Sequence, residues 1–331
     1  MATIAVVLPV FNAESTIRRA VNSILSQTWN DLELVIVNDG STDGTAEVLS
    51  SIDDSRLKVI HADHVGVAEA ANLATQSTSA PFVARMDADD WSHPDRLQLQ
   101  FELLNSEKLD VVGSQVSIVD ENGDALESLA RYQRWINEET LFEHDILALR
   151  FVELPIVNPT ILARREYYEP GFRCGDFPED YDLMLRAAAE GMRFGKVAKV
   201  LFEWTDHSRR LTRTHGSFTP DAFMRCRREH LLAGTLNGIE KIDVWGVGKT
   251  GKPWIQWLLE QGIEIRNAYD ISERRVGKLI HGSLVRHPRQ LAAADGTMIL
   301  IAVGAANARE VIRPQLKKHG YVVGSDAWFV A

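Results

Sequence analysis

Three carboxylates fall within four residues at Asp87-Ala88-Asp89-Asp90, directly after the apolar run Phe82-Val83-Ala84-Arg85-Met86. Carboxylates at this spacing repel one another and stay charged only when water or a cation neutralises them. An oxygen-rich cluster of this kind suits a hard divalent ion, Mg2+ or Mn2+. The plainer alternative is a solvated acidic turn. The metal is favoured because the rest of the N-terminal half repeats one design, strands that end in polar groups aimed at one edge.

That design starts with Ile4-Ala5-Val6-Val7-Leu8, an unbroken apolar run expected of a parallel strand covered on both faces. Pro9-Val10-Phe11-Asn12 reads as the loop that follows, with Asn12 as the cap of a helix whose Ile17, Val21, Ile24 and Leu25 share one face. Leu34-Val35-Ile36-Val37 predicts a second strand, and Asn38-Asp39-Gly40-Ser41-Thr42-Asp43-Gly44 a turn leading to another helix. An acid at the end of a second strand commonly holds a ribose or base, which makes Asp39 a ligand candidate. Ser41, Thr42 and Asp43 fit turn formation and helix capping instead. A third run at 58–61, a helical stretch from Val67 to Thr78 and the strand ending at Asp87 complete a β-α alternation.

Four blocks, Pro9-Val10-Phe11-Asn12, Val37-Asn38-Asp39-Gly40-Ser41-Thr42-Asp43-Gly44-Thr45, Asp87-Ala88-Asp89-Asp90 and Pro178-Glu179-Asp180-Tyr181-Asp182-Leu183-Met184-Leu185-Arg186, together resemble the signature of family 2 glycosyltransferases. The resemblance covers roughly residues 1 to 235. It implies a glycosyltransferase A fold, an inverting hexosyltransferase-like activity, a nucleotide-sugar donor and a divalent metal. It further implies that Pro9, Val10, Phe11, Asn12 and Asp39 bind the nucleotide. Asp87, with Ala88 beside it, would contact the ribose, and Asp89 would hold the metal. Arg85 could pair with these carboxylates or touch the donor's phosphates.

In that family the Glu-Asp pair supplies the base that deprotonates the acceptor, which points to Asp180, with Glu179 as the neighbour that could be confused with it. Asp180 should sit just before a helix over Asp182 to Glu190, whose N-terminus would hold it in place and keep it ionised. Asn158-Pro159-Thr160 resembles a segment that lines the acceptor side. Trp204 to Leu211 matches a region that supplies a His or Arg to the diphosphate, so His207 is a further metal or phosphate ligand candidate. Where the family commonly has an Arg-Asn pair, this chain reads Ala71-Asn72. Gln133-Arg134-Trp135 has the wrong spacing and place for the Gln-x-x-Arg-Trp motif of processive synthases.

With 331 residues, 45% hydrophobic content and only Cys174 and Cys226, the chain can bury two cores without disulfides. The formal net charge of -10 disfavours nucleic acid as a partner. Neither a signal peptide nor a transmembrane run is legible, so the expected setting is the cytoplasm. Arg225-Cys226-Arg227-Arg228 is a basic patch that could touch a membrane surface or a lipid-linked acceptor, or simply be a solvated helix face.

A second domain is expected over 239–331, beside a catalytic domain over 1–235. Lys241-Ile242-Asp243-Val244-Trp245 reads as a strand, followed by the Gly-x-Gly-x-x-Gly spacing of Gly246, Gly248 and Gly251. Asp270 ends the next strand about 20 residues on, where a ribose-binding acid sits in a Rossmann-like domain. Pro253 stands where a phosphate-binding loop needs a hydroxyl, which argues against nucleotide hydrolysis. The domain could bind a nicotinamide cofactor or a nucleotide, or its glycines could serve turning and packing alone. The sequence thus predicts an α/β metal-dependent glycosyltransferase, acting on a glycan or lipid-linked polysaccharide precursor, with a Rossmann-like accessory domain. A cofactor-binding sensor or oxidoreductase and an inactive transferase scaffold are the alternatives.

Overall fold

The computed structural model describes residues 2–139, 146–305 and 307–331. Its first strand, β1 (Ile4–Val10), has all seven residues buried. Both faces are covered, and so the sequence there is apolar throughout rather than alternating. Pro9 and Val10, expected in a loop, belong to this strand and pair with Val37 and Asn38 of β2 (Leu32–Asp39). Outside it run β3 (Leu57–Ala62) and, on the other side of β1, β4 (Phe82–Arg85). Helices α1 (Ile17–Leu25), α2 (Thr45–Ser50) and α3 (Val67–Gln76) connect these parallel strands.

β5 (Trp91–Ser92), α4 (Arg96–Ser106), β6 (Val111–Val119), β7 (Leu162–Arg164), α5 (Glu179–Ala189) and β8 (Phe194–Thr205) follow. Among the described residues the sheet has eight strands in the order β3-β2-β1-β4-β7-β6-β8-β5. β4 is parallel to β1 but antiparallel to β7. The chain order reverses between β1 and β4, and a reversal of this kind opens a crevice beyond the carboxyl ends of the two strands. The acidic run Asp87-Ala88-Asp89-Asp90 leaves β4 at that crevice.

The chain forms two compact units, Met1–His144 with Pro155–Arg228, and Asp145–Leu154 with Glu229–Ala331. The second unit has a six-stranded sheet among the described residues: β9 (Lys241–Trp245), β10 (Glu264–Tyr269), β11 (Leu279–Ile280), β12 (Ser283–Arg286), β13 (Ile299–Ile301) and β14 (Ala327–Phe329). Their order is β11-β12-β10-β9-β13-β14, and all but the edge strand β11 run parallel. Apart from β11 this is the 3-2-1-4-5 order of a Rossmann-like sheet.

Position along the sequence put Asp145–Leu154 in the first domain, yet it packs with the second. The cause is apolar burial. Leu149 is fully buried in the core built by Trp245, Tyr269, Ile299, Ile301 and Phe329, Phe151 meets Trp328 edge to face at 5.4 Å, and the Arg150 guanidinium lies 4.2 Å from the Trp328 ring centre. Full burial of a side chain such as Leu149 stabilises by about 2 kcal/mol. No helix of the described residues is long and apolar enough to cross a membrane.

Candidate active site

Three chain segments meet at the crevice of the first unit. The first comes from the ends of β1 and β2. Asn12 does not cap α1, which begins five residues later behind Thr16. Its backbone adopts a left-handed conformation, φ +51°. The Asn12 N–H donates to Ser41 Oγ at 2.9 Å, and its side-chain oxygen accepts from the Thr42 N–H at 2.8 Å. Asn12 therefore ties two loops together, and the side chain of Phe11 next to it stays 45% exposed. Asp43 serves the turn as expected, accepting from the Thr45 N–H at 3.0 Å.

Asp39 is buried, and each carboxylate oxygen accepts one backbone N–H, from Val65 at 2.6 Å and from Gly66 at 2.9 Å. These bonds shape the turn that opens α3, where Gly66 at φ +92° occupies a conformation that side chains disfavour.

The second segment is the acidic loop. Arg85 is buried at the end of β4 and its guanidinium lies 3.0 Å from the Asp87 carboxylate, so it pairs within the cluster. The Asp89 carboxylate, which only accepts, takes a hydrogen bond from His207 Nε2–H at 2.8 Å. Asp90 is fully enclosed and accepts from the Thr205 N–H at 2.8 Å, pinning the loop to the end of β8. Burial pushes the Asp87 carboxyl up, against the Arg85 charge, and the Asp89 charge adds to the rise. Burial works the same way on Asp89, but the His207 hydrogen bond and the Arg210 charge outweigh it and hold this carboxyl low. Asp90 is raised well above the usual range by burial and by the Asp89 charge. Of the three, Asp89 alone is held below the usual carboxylate range.

The third segment is the start of α5. Glu179 and Asp180 are its first two residues, so the helix starts three residues earlier than the sequence suggested. Behind them Asp182, with no exposed surface, is gripped by Arg173 and Arg186, whose Nε atoms lie 2.9 and 2.8 Å from one of its oxygens. Asn72 clamps the preceding loop, donating to the Phe172 carbonyl at 2.9 Å and accepting from its N–H at 2.7 Å. That is the task of the Asn in the Ala71-Asn72 pair here.

The helix N-terminus does not keep Asp180 strongly ionised. Burial pushes it up to about 6, with the nearby Asp87 charge adding to the rise. Burial and the Asp180 charge push Glu179 further, to about 8. At pH 7 Asp180 is mainly a carboxylate and Glu179 mainly a neutral acid. The helix dipole is worth about 1 kcal/mol, less than the desolvation these positions impose.

A stability prediction follows for the metal-free protein. Glu179 holds its proton in the folded chain up to about 8 but loses it near 4.5 when unfolded. Its contribution is therefore fully present below pH 4.5 and is lost as pH rises through 8. In urea titrations with chelator, Glu179→Gln should flatten the decline between pH 5 and 8.5 and be more stable than the parent at pH 8.5 by about 2 kcal/mol, allowing for partial solvent access. Equal slopes for both proteins would contradict the assignment.

Two residues at this site carried no individual signal in the sequence. Arg210 lies over the Trp204 ring at 4.2 Å, and its charge acts on Asp87, Asp89 and Asp90. It stands three residues after His207 in the segment already singled out. Arg96, with no exposed surface, donates to the carbonyls of Arg85 at 3.2 Å and Pro159 at 2.7 Å, fixing the end of β4 from behind. Nothing in its sequence surroundings separates it from an ordinary helix-surface arginine. Pro159 and Thr160 are buried under the sheet, so only Asn158 of that trio keeps partial exposure.

In the second unit the fingerprint residues have partners inside the protein. A Cβ on Gly251 would lie 1.8 Å from the Gly246 carbonyl oxygen, and one on Gly246, whose φ is +105°, 2.5 Å from that of Ala302. One on Gly248 would lie 3.2 Å from the Arg275 guanidinium. Asp270 accepts from the Val247 and Ser272 N–H groups at 3.1 and 2.8 Å and pairs with Arg275 at 3.2 Å.

Comparison with known proteins agrees with the architecture. The family model "Glycosyl transferase family 2" matches residues 5–174. Glycosyltransferase GlyA of Streptococcus pneumoniae is 32% identical over 123 residues, which are 36% of this chain and 18% of that protein. The O-antigen biosynthesis glycosyltransferase WbnJ of Escherichia coli is 28% identical over 217 residues, covering 62% of this chain and 80% of WbnJ. Among solved structures, S. aureus TarS residues 1–349 in complex with UDP-GlcNAc superposes with a TM-score of 0.56 at 20% identity, over 72% of this chain and 68% of that one. That likeness is one of fold, the nucleotide-diphospho-sugar transferase fold.

Proposed function

The chain belongs to glycosyl transferase family 2, and from that premise we propose that it transfers a sugar from a nucleoside-diphosphate donor to an acceptor hydroxyl with inversion, assisted by Mg2+ or Mn2+. The observation that carries this reading is the convergence of Asp87 and Asp89, the Glu179-Asp180 helix start and the cations Arg85 and Arg210 within electrostatic reach of one another.

The donor set suits a divalent ion. Asp87 and Asp89 present carboxylate oxygens, His207 lies 2.8 Å from Asp89, and burial together with the Asp89 charge raises Asp87, a rise that a bound cation would oppose. These three residues would hold the ion, which when bound supplies Lewis-acid stabilisation of the departing diphosphate.

Asp180 accepts the proton of the acceptor hydroxyl. The new bond from that oxygen to the anomeric carbon forms as the bond to the diphosphate breaks, and the electron pair leaves with the diphosphate. Arg210 and Arg85 add fixed positive charge near the developing anion. Pro9, Val10, Phe11, Asn12 and Asp39 would bound the nucleotide, and Asp87 with Ala88 the ribose. The acceptor is read as a glycan or lipid-linked polysaccharide precursor, in keeping with WbnJ, and the setting as cytoplasmic. The engagement of Asp270 by Arg275 gives a cofactor-centred reading of the second unit no support.

The test is donor turnover with Mn2+ across UDP-, GDP- and dTDP-sugars, followed by NMR of the product. Inverted anomeric configuration is expected. A retained configuration, or turnover unaffected by chelator, would refute this mechanism.

A further inference from the structure

We propose that the His64 imidazole occupies the nucleobase subsite of the free protein and that donor binding exchanges it for the base. The inference rests on the nucleotide-donor reading above and adds a residue that governs how the base is admitted.

His64 follows β3 in the turn that opens α3. Its side chain is 60% exposed, yet it makes three directed contacts, one of them a 3.4 Å approach of Nδ1 to the Asp39 carboxylate. Its ring lies on that of Phe11, with centres 4.1 Å apart and planes tilted by 32°. Its Nδ1 is 3.1 Å from the backbone carbonyl oxygen of Asp39. A carbonyl only accepts, so this nitrogen carries the proton.

A flat heteroaromatic ring with one face on an aromatic side chain and a ring N–H on an acceptor makes the contacts a nucleobase makes in a protein site. Here an imidazole makes them at the carboxyl ends of β1 and β2, the edge where a ligand of such a sheet binds. Phe11, 45% exposed, is the one large apolar ring the loop after β1 holds out at this edge.

The backbone at His64 fits a displaceable side chain. Its φ is +51°, a left-handed conformation that costs a non-glycine residue about 1 kcal/mol. The turn is held by other bonds, those from the Val65 and Gly66 N–H groups to Asp39. Rotation of the His64 side chain therefore frees the Phe11 ring and the Asp39 carbonyl without dismantling the turn. Uracil and guanine each have a ring N–H that can replace the imidazole's on that carbonyl. The free protein then binds with an affinity reduced by the fraction of molecules in which His64 has swung away.

The decisive measurement is calorimetric titration of UDP and of GDP, with Mn2+, into the full chain and its variants. The better of the two ligands should bind His64→Ala about tenfold more tightly than the parent, the gain expected when a surrogate contact of stacking-pair strength is removed. His64→Trp, a larger surrogate on Phe11, should bind more weakly than the parent, and Phe11→Ala should lose affinity in either background. In the parent, the His64 ring-proton NMR signals should lose the Phe11 ring-current shift on saturation with ligand.

Equal or weaker binding by His64→Ala would overturn the exchange and make His64 an ordinary contact or a bystander. The donor reading would survive that result, because the parent would still bind a nucleoside diphosphate. If neither UDP nor GDP binds the parent or His64→Ala, the exchange is overturned, and the donor reading falls with it only if dTDP-sugars also fail to turn over.

Discussion

Asp180→Asn should leave donor affinity within about twofold of the parent and lower transfer to the acceptor by about 1000-fold, within the usual range for removing a general base. The amide keeps the size of the carboxylate and its place at the start of α5, but it cannot take the acceptor's proton. Asp180 is chosen over Glu179 on charge. Burial pushes Asp180 up to about 6 and Glu179 to about 8, so at neutral pH the first can accept a proton and the second already holds one. Transfer by the parent should rise with pH through about 6 and then level off, and the residual activity of Asp180→Asn should lack that rise. The comparison variant is Glu179→Gln, expected to keep most of the activity. An active Asp180→Asn beside a crippled Glu179→Gln would reverse the two roles.

Asp89→Ala is expected to abolish Mn2+-dependent donor binding and to slow donor turnover by about 100-fold, the scale of losing one major stabiliser of transition-state charge. Among the three clustered acids, Asp89 alone is held low, by the His207 hydrogen bond and the Arg210 charge against its burial. It is thus already ionised before any cation arrives. Asp90→Asn should behave differently. Its carboxyl is raised well above the usual range and spends its contact on the Thr205 N–H, so the amide can keep that bond, and Mn2+ affinity should change far less than in Asp89→Ala. Mn2+ titration followed by electron paramagnetic resonance separates the two. Equal losses of affinity in both variants would assign the ion to the whole cluster rather than to Asp89 with Asp87 and His207.

How much of this was legible in the chain differs element by element. β1 reads directly as a buried parallel strand, because a strand covered on both faces must be apolar at every position. The end of that strand was less legible. Pro9 lacks an N–H and reads as a break, yet it sits in register opposite Val37. Asn12 reads as a cap by residue type, and its actual bonds go to Ser41 and Thr42, about 30 positions away. The start of α5 was misread by three residues, because Glu179 and Asp180 look like the approach to a helix and are instead its first turn behind Pro178.

By itself the sequence determined the alternation of strands and helices, the family, the place of three carboxylates at a strand end and the Gly-rich turn of a second Rossmann-like unit. Each is written in contiguous residues, through local periodicity and turn chemistry. Only the tertiary structure decided which charges face one another. Asp182 is neutralised by Arg173 and Arg186, Asp270 by Arg275, and Asp89 is held low by His207 and Arg210. Asp39 gives both its oxygens to the turn after β3, and Asp145–Leu154 joins the second unit because its apolar side chains find their core there. Desolvation and pairing depend on what the folded chain brings within a few ångströms, and spacing along the sequence carries no record of it.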